Sequence, residues 1–164
     1  RMLRTLVEEW QTLHPADDGA QSLQAHYLGL PPRELGVVAQ VQFEPEHLRR
    51  VMVNLLDNAL RHCSAKPGAI EIHVRQLLDI DQPGQVMVSV FSDGPAIDPE
   101  TERSLFEPFF STRSRGTGLG LYISRELCER HGAAIEYRQH PVTQRHRNEF
   151  YILMPLCPPT DHAS

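Results

Sequence analysis

The chain is expected to be an α/β sandwich, a mixed and mostly antiparallel sheet with its helices on one face. Three observations predict it. Short runs of alternating apolar and polar residues come in neighbouring pairs. Segments with apolar residues at three- and four-residue steps separate those runs. The size and balance, 164 residues of which 40% are hydrophobic and 23% charged, suffice for one domain with a real core.

The elements follow in order. Leu3, Leu6, Val7, Trp10 and Leu13 make an amphipathic helix that Pro15-Ala16-Asp17-Asp18-Gly19 stops. Gln24 to Leu30 and Gly36 to Phe43 look like strands on either side of the Pro31-Pro32 turn. Pro45, after Glu44, suits a first helical position, and the helix should reach about His62. Ile70, Ile72 and Val74 alternate with polar residues, Asp79 to Gly84 turns the chain, and Val86, Val88 and Val90 return it, so a hairpin is expected. A Gly/Pro loop from Ser92 to Pro99 leads to a short helix near Glu100 to Leu105. Phe106 to Gly120 is turn-rich, and a helix from Leu119 to His131 ends at Gly132. Strands Ile135 to Gln139 and Glu149 to Met154 complete the sheet, and residues 158–164 read as a disordered tail.

Composition excludes several functions. The net charge is −5, and Lys66 is the only lysine, which argues against nucleic acid or an anionic membrane as the main partner. No apolar run reaches the ~18–20 residues of a membrane span. Cys63, Cys128 and Cys157 lack Cys-x-x-Cys spacing and read as reduced thiols, neither a disulfide framework nor a zinc site. None of the nine histidines forms a His-x-x-x-His pair beside a glutamate, so a metalloprotease is excluded.

Two segments carry chemistry. In the helix from Glu46 to His62, Leu48, Val51, Met52, Leu55, Leu56 and Ala59 form an apolar face, while Asn54, Asn58, Arg61 and His62 share another stripe. Asparagine is a poor helix former, so two of them one turn apart need a reason. One reading is a solvated face. The sharper one is a polar groove whose amide oxygens suit Mg²⁺ and whose Arg61 reaches phosphate. The second segment, Gly116-Thr117-Gly118-Leu119-Gly120-Leu121, runs into a helix and would let backbone N–H groups approach phosphate. Alone it is weak evidence, and neither a Rossmann nor a Walker A context surrounds it. Arg113 and Arg115 either fold over a triphosphate or are solvated loop residues.

Together these segments resemble the ATP-binding catalytic domain of two-component sensor histidine kinases. Asn54-Leu55-Leu56-Asp57-Asn58-Ala59-Leu60-Arg61-His62 is similar to the family's N box, and Ser92-Asp93-Gly94-Pro95-Ala96-Ile97 occupies the place of its first glycine box. Leu105 to Phe110 resembles the F box and Gly116 to Leu121 the second glycine box. Order and spacing agree from about Phe43 to Leu156, roughly two-thirds of the chain. The run Phe109 to Arg113 looks most like the nitrogen-regulation type, and Gly118 to Glu129 is similar to kinases that control type IV pilin transcription.

The resemblance implies a Bergerat fold that binds ATP and Mg²⁺ between the N-box helix and a lid. Asn58 would ligate Mg²⁺ with Asn54 in support, Arg61 would contact phosphate, and His62 would lie near the nucleotide. Ser92, Gly94 and Ala96 would meet the adenine end. Arg113, Gly116, Thr117, Gly118, Leu119, Gly120 and Leu121 would form the lid and phosphate cradle. Phe106, Phe109 and Phe110 would anchor that lid, or simply be core. Family ATPases carry a glutamate where Asn54 stands; an amide cannot take a proton, which argues for a kinase over a hydrolase.

Two departures qualify this. The first glycine box normally reads Asp-x-Gly-x-Gly, and its Asp accepts a hydrogen bond from the adenine amino group. Here Ser92 and Ala96 stand at the aligned positions, and Asp93 is one residue late. The nucleotide site is therefore expected to be present but weakened. Moreover, no histidine is followed by Asp or Glu, so the phosphoacceptor helix is not recognised in this sequence. Residues 1–18 then read as a helical linker from a dimerisation domain and residues 19–157 as the catalytic domain. The implied partners are that dimerisation domain and a cognate response regulator, with no nucleic acid and no direct membrane contact. The implied location is the cytoplasmic side of a bacterial inner-membrane kinase, and the fragment is not expected to autophosphorylate alone. The alternative is a degenerate domain that binds ATP poorly or not at all and serves as a regulatory interaction module.

Overall fold

A computed structural model describes residues 2–13, 23–28, 41–64, 66–77, 84–110 and 119–156. Its elements are α1 (Met2–Leu13), β1 (Leu23–Leu28), α2 (Pro45–His62), β2 (Ile70–Leu77), β3 (Gln85–Ser92), α3 (Pro99–Ser104), α4 (Gly120–Arg130), β4 (Ala134–Gln139) and β5 (Asn148–Pro155). The five strands form one sheet in the order β1-β2-β3-β5-β4. All pairings are antiparallel except β1 with β2. That pair is parallel because α2 carries the chain back between them, as a crossover helix must. The expected mixed sheet is thus what forms, and, apart from the expected strand Gly36 to Phe43, whose residues 42–43 are bends, the element ends that fall among the described residues agree with the sequence reading to within a residue or two. Of the expected strand Gly36 to Phe43, residues 36–40 lie outside the described residues; Val41 makes a single bridge to Leu156.

One core holds the layers together. Ile70, Ile72 and Val74 of β2, Val86, Val88 and Val90 of β3, and Phe150, Ile152 and Met154 of β5 all point into it. From the helical side come Leu48, Val51, Met52, Leu55, Leu56 and Ala59 of α2 and Leu127 and Cys128 of α4. Burying so much apolar area is the main stabilising term, at about 25 cal/mol per Å². Burial also raises the Cys128 thiol to about 12, which leaves it inert. The first helix joins the same core through Leu6, Val7 and Trp10, and the Trp10 indole donates to Asp57 Oδ1 of α2 at 3.1 Å. Among the described residues no helix is long and apolar enough to cross a membrane.

The other sheet face mixes apolar side chains such as Met87 and Phe91 with polar ones. Glu149 is fully buried there, yet its Oε1 accepts from Arg138 Nη2 at 2.7 Å and engages His140 Nε2 at 2.8 Å. Burial pushes its carboxyl up, but the adjacent Ser89 hydroxyl, His140 and Arg138 outweigh that and hold it below the usual range. A carboxyl depressed in the folded state lends stability that is complete above its unfolded value, and that stability is lost as pH falls through the folded value. The denaturation midpoint should therefore drop below about pH 4, and Glu149→Gln should flatten that drop in urea titrations at pH 7 and pH 3.5.

Candidate functional site

The apolar face of α2 lies on the sheet, which turns the asparagine stripe elsewhere. Asn54, Asn58 and His62 are half-buried and Arg61 is exposed. Asn54 and Asn58 stand one turn, about 6 Å, apart along the helix. Asn54 Nδ2 donates to the Gly120 carbonyl and to Ser124 Oγ, both at 3.2 Å, so the N-box helix is tied to the first turn of α4. Gly120 lies against that amide: a Cβ there would sit 3.9 Å from Asn54 Cγ.

At its other end α2 meets the loop after β3. A Cβ on Gly94 would lie 2.0 Å from the His62 carbonyl oxygen, so the two backbones touch with no room for a side chain. Asp93 fastens the same junction. Its Oδ1 accepts from the Ser64 amide at 2.8 Å and its Oδ2 from the Ser64 hydroxyl at 2.5 Å, with Arg145 Nη2 at 3.4 Å. Burial would raise the Asp93 carboxyl, but Ser64 and Arg145 prevail and hold it low. Both of its oxygens are thus engaged by the protein.

Ser92 differs. It ends β3 in step with Val86, Val88 and Val90, on the helix-facing side of the sheet, and is only 6% exposed. Ala96 is half-buried in the loop beyond. A residue that sequence reading missed shapes that loop. Asn148, opposite Ser92 on β5 and 3% exposed, donates through Nδ2 to the carbonyls of Gly94 (3.1 Å) and Pro95 (2.9 Å). Its Oδ1 accepts from the Ile97 amide at 3.3 Å and from the Tyr137 hydroxyl. A lone asparagine opening a strand carries no motif; only the register with Ser92 reveals it. Asn148→Ala should cost about 1–2 kcal/mol by leaving loop groups without protein partners, read as a shift in the urea midpoint.

Of the segment expected to form a lid, only part falls among the described residues. Leu119, Gly120 and Leu121 are half-buried at the start of α4, whereas Arg113, Gly116, Thr117 and Gly118 lie outside the described residues. Phe106 packs edge-on against Phe150 with ring centroids 6.3 Å apart, and Phe110 is half-buried. Phe109 is no core anchor here: it is 77% exposed, with a left-handed φ of 63°. A concavity of about 460 Å³ opens elsewhere, against β4 and between Phe106 and Arg125; none of Asn54, Asn58, Ser92 or Gly94 lines it.

This fold, with the N-box helix touching both glycine boxes, defines a class. Residues 43–158 match the family described as histidine kinase-, DNA gyrase B- and HSP90-like ATPase, and the chain belongs to it. Within that family its relatives are sensor kinases. The chain is 41% identical to the sensor protein kinase PilS of Pseudomonas aeruginosa over 99 residues, 60% of this chain and 18% of that one. It is 30% identical to the sensory histidine kinase/phosphatase NtrB of Salmonella typhimurium over 71% of this chain and 34% of that one. The chain thus spans about a third of one of these relatives and less than a fifth of the other. Among solved structures, the mycobacterial sensor histidine kinase MprB superposes with a TM-score of 0.69 at 24% identity, covering 95% of each chain. Full-length ShkA in complex with AMPPNP gives 0.64 at 20% identity, over 94% of this chain and 30% of that one. These likenesses support the fold.

Proposed function

We propose that this chain is the phosphoryl-donating domain of a sensor histidine kinase. It binds ATP with Mg²⁺ between α2 and the segment leading into α4, and presents the γ-phosphoryl to a histidine on a separate dimerisation domain. The observation that carries this reading is the convergence of motifs on α2: Asn54 on Gly120 at one point, His62 on Gly94 at another. Asn58 and Arg61 stand between those two contacts. PilS and ShkA–AMPPNP add support, the first from sequence and the second from its bound nucleotide analogue.

The residues suit the magnesium ion. Half-buried amides are neutral oxygen donors, and Mg²⁺ takes few protein ligands beside substrate phosphates and water. Asn58 would hold it, with Asn54 in support, and the ion would neutralise phosphate charge. The chain's own task is positioning. Arg61 steadies the phosphates, His62 flanks the nucleotide, and Ser92, Gly94 and Ala96 bound its adenine end. Arg113, Gly116, Thr117, Gly118, Leu119, Gly120 and Leu121 close over the phosphates. No general base is required of this domain, because the nucleophile is a histidine elsewhere.

Residues 1–18 are the helical link to the dimerisation domain, residues 19–157 the catalytic domain and residues 158–164 a tail. The partners are that dimerisation domain and a response regulator; the output, from the likeness to PilS, is transcription of type IV pili. The whole protein is an inner-membrane kinase with this domain in the cytoplasm, and the fragment alone does not phosphorylate itself. A calorimetric titration with Mg-ADP should give one site, and a hundredfold excess over Kd should raise the Tm by about 5–10 °C. No heat and no shift would favour a degenerate domain used as an interaction module, a reading that Ser92 and Ala96 motivate.

A further inference from the structure

We propose that Glu44, His47 and His131 form a binding site for a transition-metal dication of the Zn²⁺ class. The fold brings together residues that the sequence keeps apart. Glu44 caps the start of α2, His47 follows within its first turn, and His131 caps the end of α4. His47 Nδ1 lies 2.8 Å from His131 Nε2 and 3.2 Å from Glu44 Oε2. All three donor atoms fall within 4.8 Å of one another, and among the described residues no other His, Cys, Asp or Glu group meets that condition. Tetrahedral zinc, with bonds of ~2.0–2.2 Å, sets its ligands roughly 3.3–3.5 Å apart. Small side-chain rotations therefore convert this cluster into three corners of a tetrahedron, with water at the fourth.

The surroundings favour a cation. The Glu44 side chain makes no capping hydrogen bond to the start of α2, so coordination breaks no cap. The His131 ring is held by Phe43, with centroids 4.4 Å apart and planes 31° from parallel. His131 stands at the C-terminal end of α4, where the helix dipole is negative, and Glu44 and His47 at the N-terminal end of α2, where it is positive; the two fields oppose, and the Glu44 carboxylate supplies the attraction for the ion. Side-chain exposures of 27% for His47 and 52% for Glu44 leave a path for the ion from solvent. Two imidazoles and one carboxylate select Zn²⁺, Co²⁺ or Ni²⁺ over Mg²⁺, which prefers oxygen alone. The site is thus chemically distinct from the asparagine pair. Asn54 and Gly120 clamp α2 to α4 at one point; the metal fastens the same helices near the start of α2 and the end of α4.

The test is a titration of the untagged chain with zinc chloride in Mg²⁺-containing buffer. One Zn²⁺ per chain should bind, with a Tm rise of several degrees, and Co²⁺ should show the visible band of four-coordinate cobalt. His47→Ala and His131→Ala should each weaken binding at least tenfold. Glu44→Gln, an exposed change that leaves the core intact, should weaken it by a smaller factor. In the native chain, ¹⁵N spectra of the histidine rings should show zinc shifting His47 Nδ1 and His131 Nε2. Absence of binding would overturn the proposal, as would zinc that survives the double histidine variant or leaves both rings unshifted.

Discussion

Gly94→Ala is expected to cost more than about 3 kcal/mol, a large share of the ~5–15 kcal/mol by which a domain is ordinarily stable. The added methyl would stand 2.0 Å from the His62 carbonyl oxygen and 2.9 Å from its carbon, both of them backbone atoms with no rotamer to change. Relief requires moving the end of β3 away from α2 by more than 1 Å, roughly the gap to an ordinary contact. That movement pulls against Asp93 on Ser64, at 2.8 and 2.5 Å, and against Asn148 on the Gly94 and Pro95 carbonyls, at 3.1 and 2.9 Å. Each bond lost or stretched adds its own cost to the overpacking. Gly120→Ala is the control. Its nearest neighbour would be Asn54 Cγ at 3.9 Å, an ordinary contact, and it opens α4, so alanine there should cost little. Urea denaturation of both variants checks the pair: a Gly94→Ala midpoint equal to the native one would mean that the loop and helix are not in contact. The glycine of this motif is thus required by helix–loop packing, whether or not nucleotide is bound.

Local rules made much of this legible. Alternation marked β2 and β3, Pro45 marked the start of α2, and Gly132, with φ of 68°, marked the stop after α4. The stripe of Asn54 and Asn58 followed from helical spacing alone. Spacing also separated Ser92 from Asp93, and the structure gives the two residues different surroundings: Ser92 lines the helix-facing side, while Asp93 is engaged by Ser64 and Arg145. What stayed hidden depends on contacts between distant segments. His47 and His131 are 84 positions apart, and Asn148 lies 54 positions from Gly94. The amphipathic stripe of α1 showed that it must be covered, but not that Trp10 would reach Asp57 of α2. Phe109 misled for the opposite reason: an aromatic in a motif suggests an anchor, but a left-handed backbone turns it out to solvent.

Ser92→Asp should tighten Mg-ADP binding about five- to thirtyfold while lowering the Tm of the nucleotide-free chain. Under the proposed function, residue 92 accepts a hydrogen bond from the adenine amino group. A neutral acceptor contributes ~0.5–1.5 kcal/mol and a charged one ~1.5–3, so the gain is about 1–2 kcal/mol, which is that range of affinity. The cost comes from burial. Position 92 is 6% exposed and faces the same side as Val86, Val88 and Val90, so an unliganded carboxylate there is desolvated. The two effects have opposite signs, and that separates the readings. Tighter binding with a lower apo Tm means that the native site is live but weakened at its adenine end. Equal, tight binding in both chains means that Ser92, directly or through a bound water, already serves as the acceptor. A lower Tm with no binding in either chain leaves the serine as packing alone, and shifts the proposed function to the interaction module.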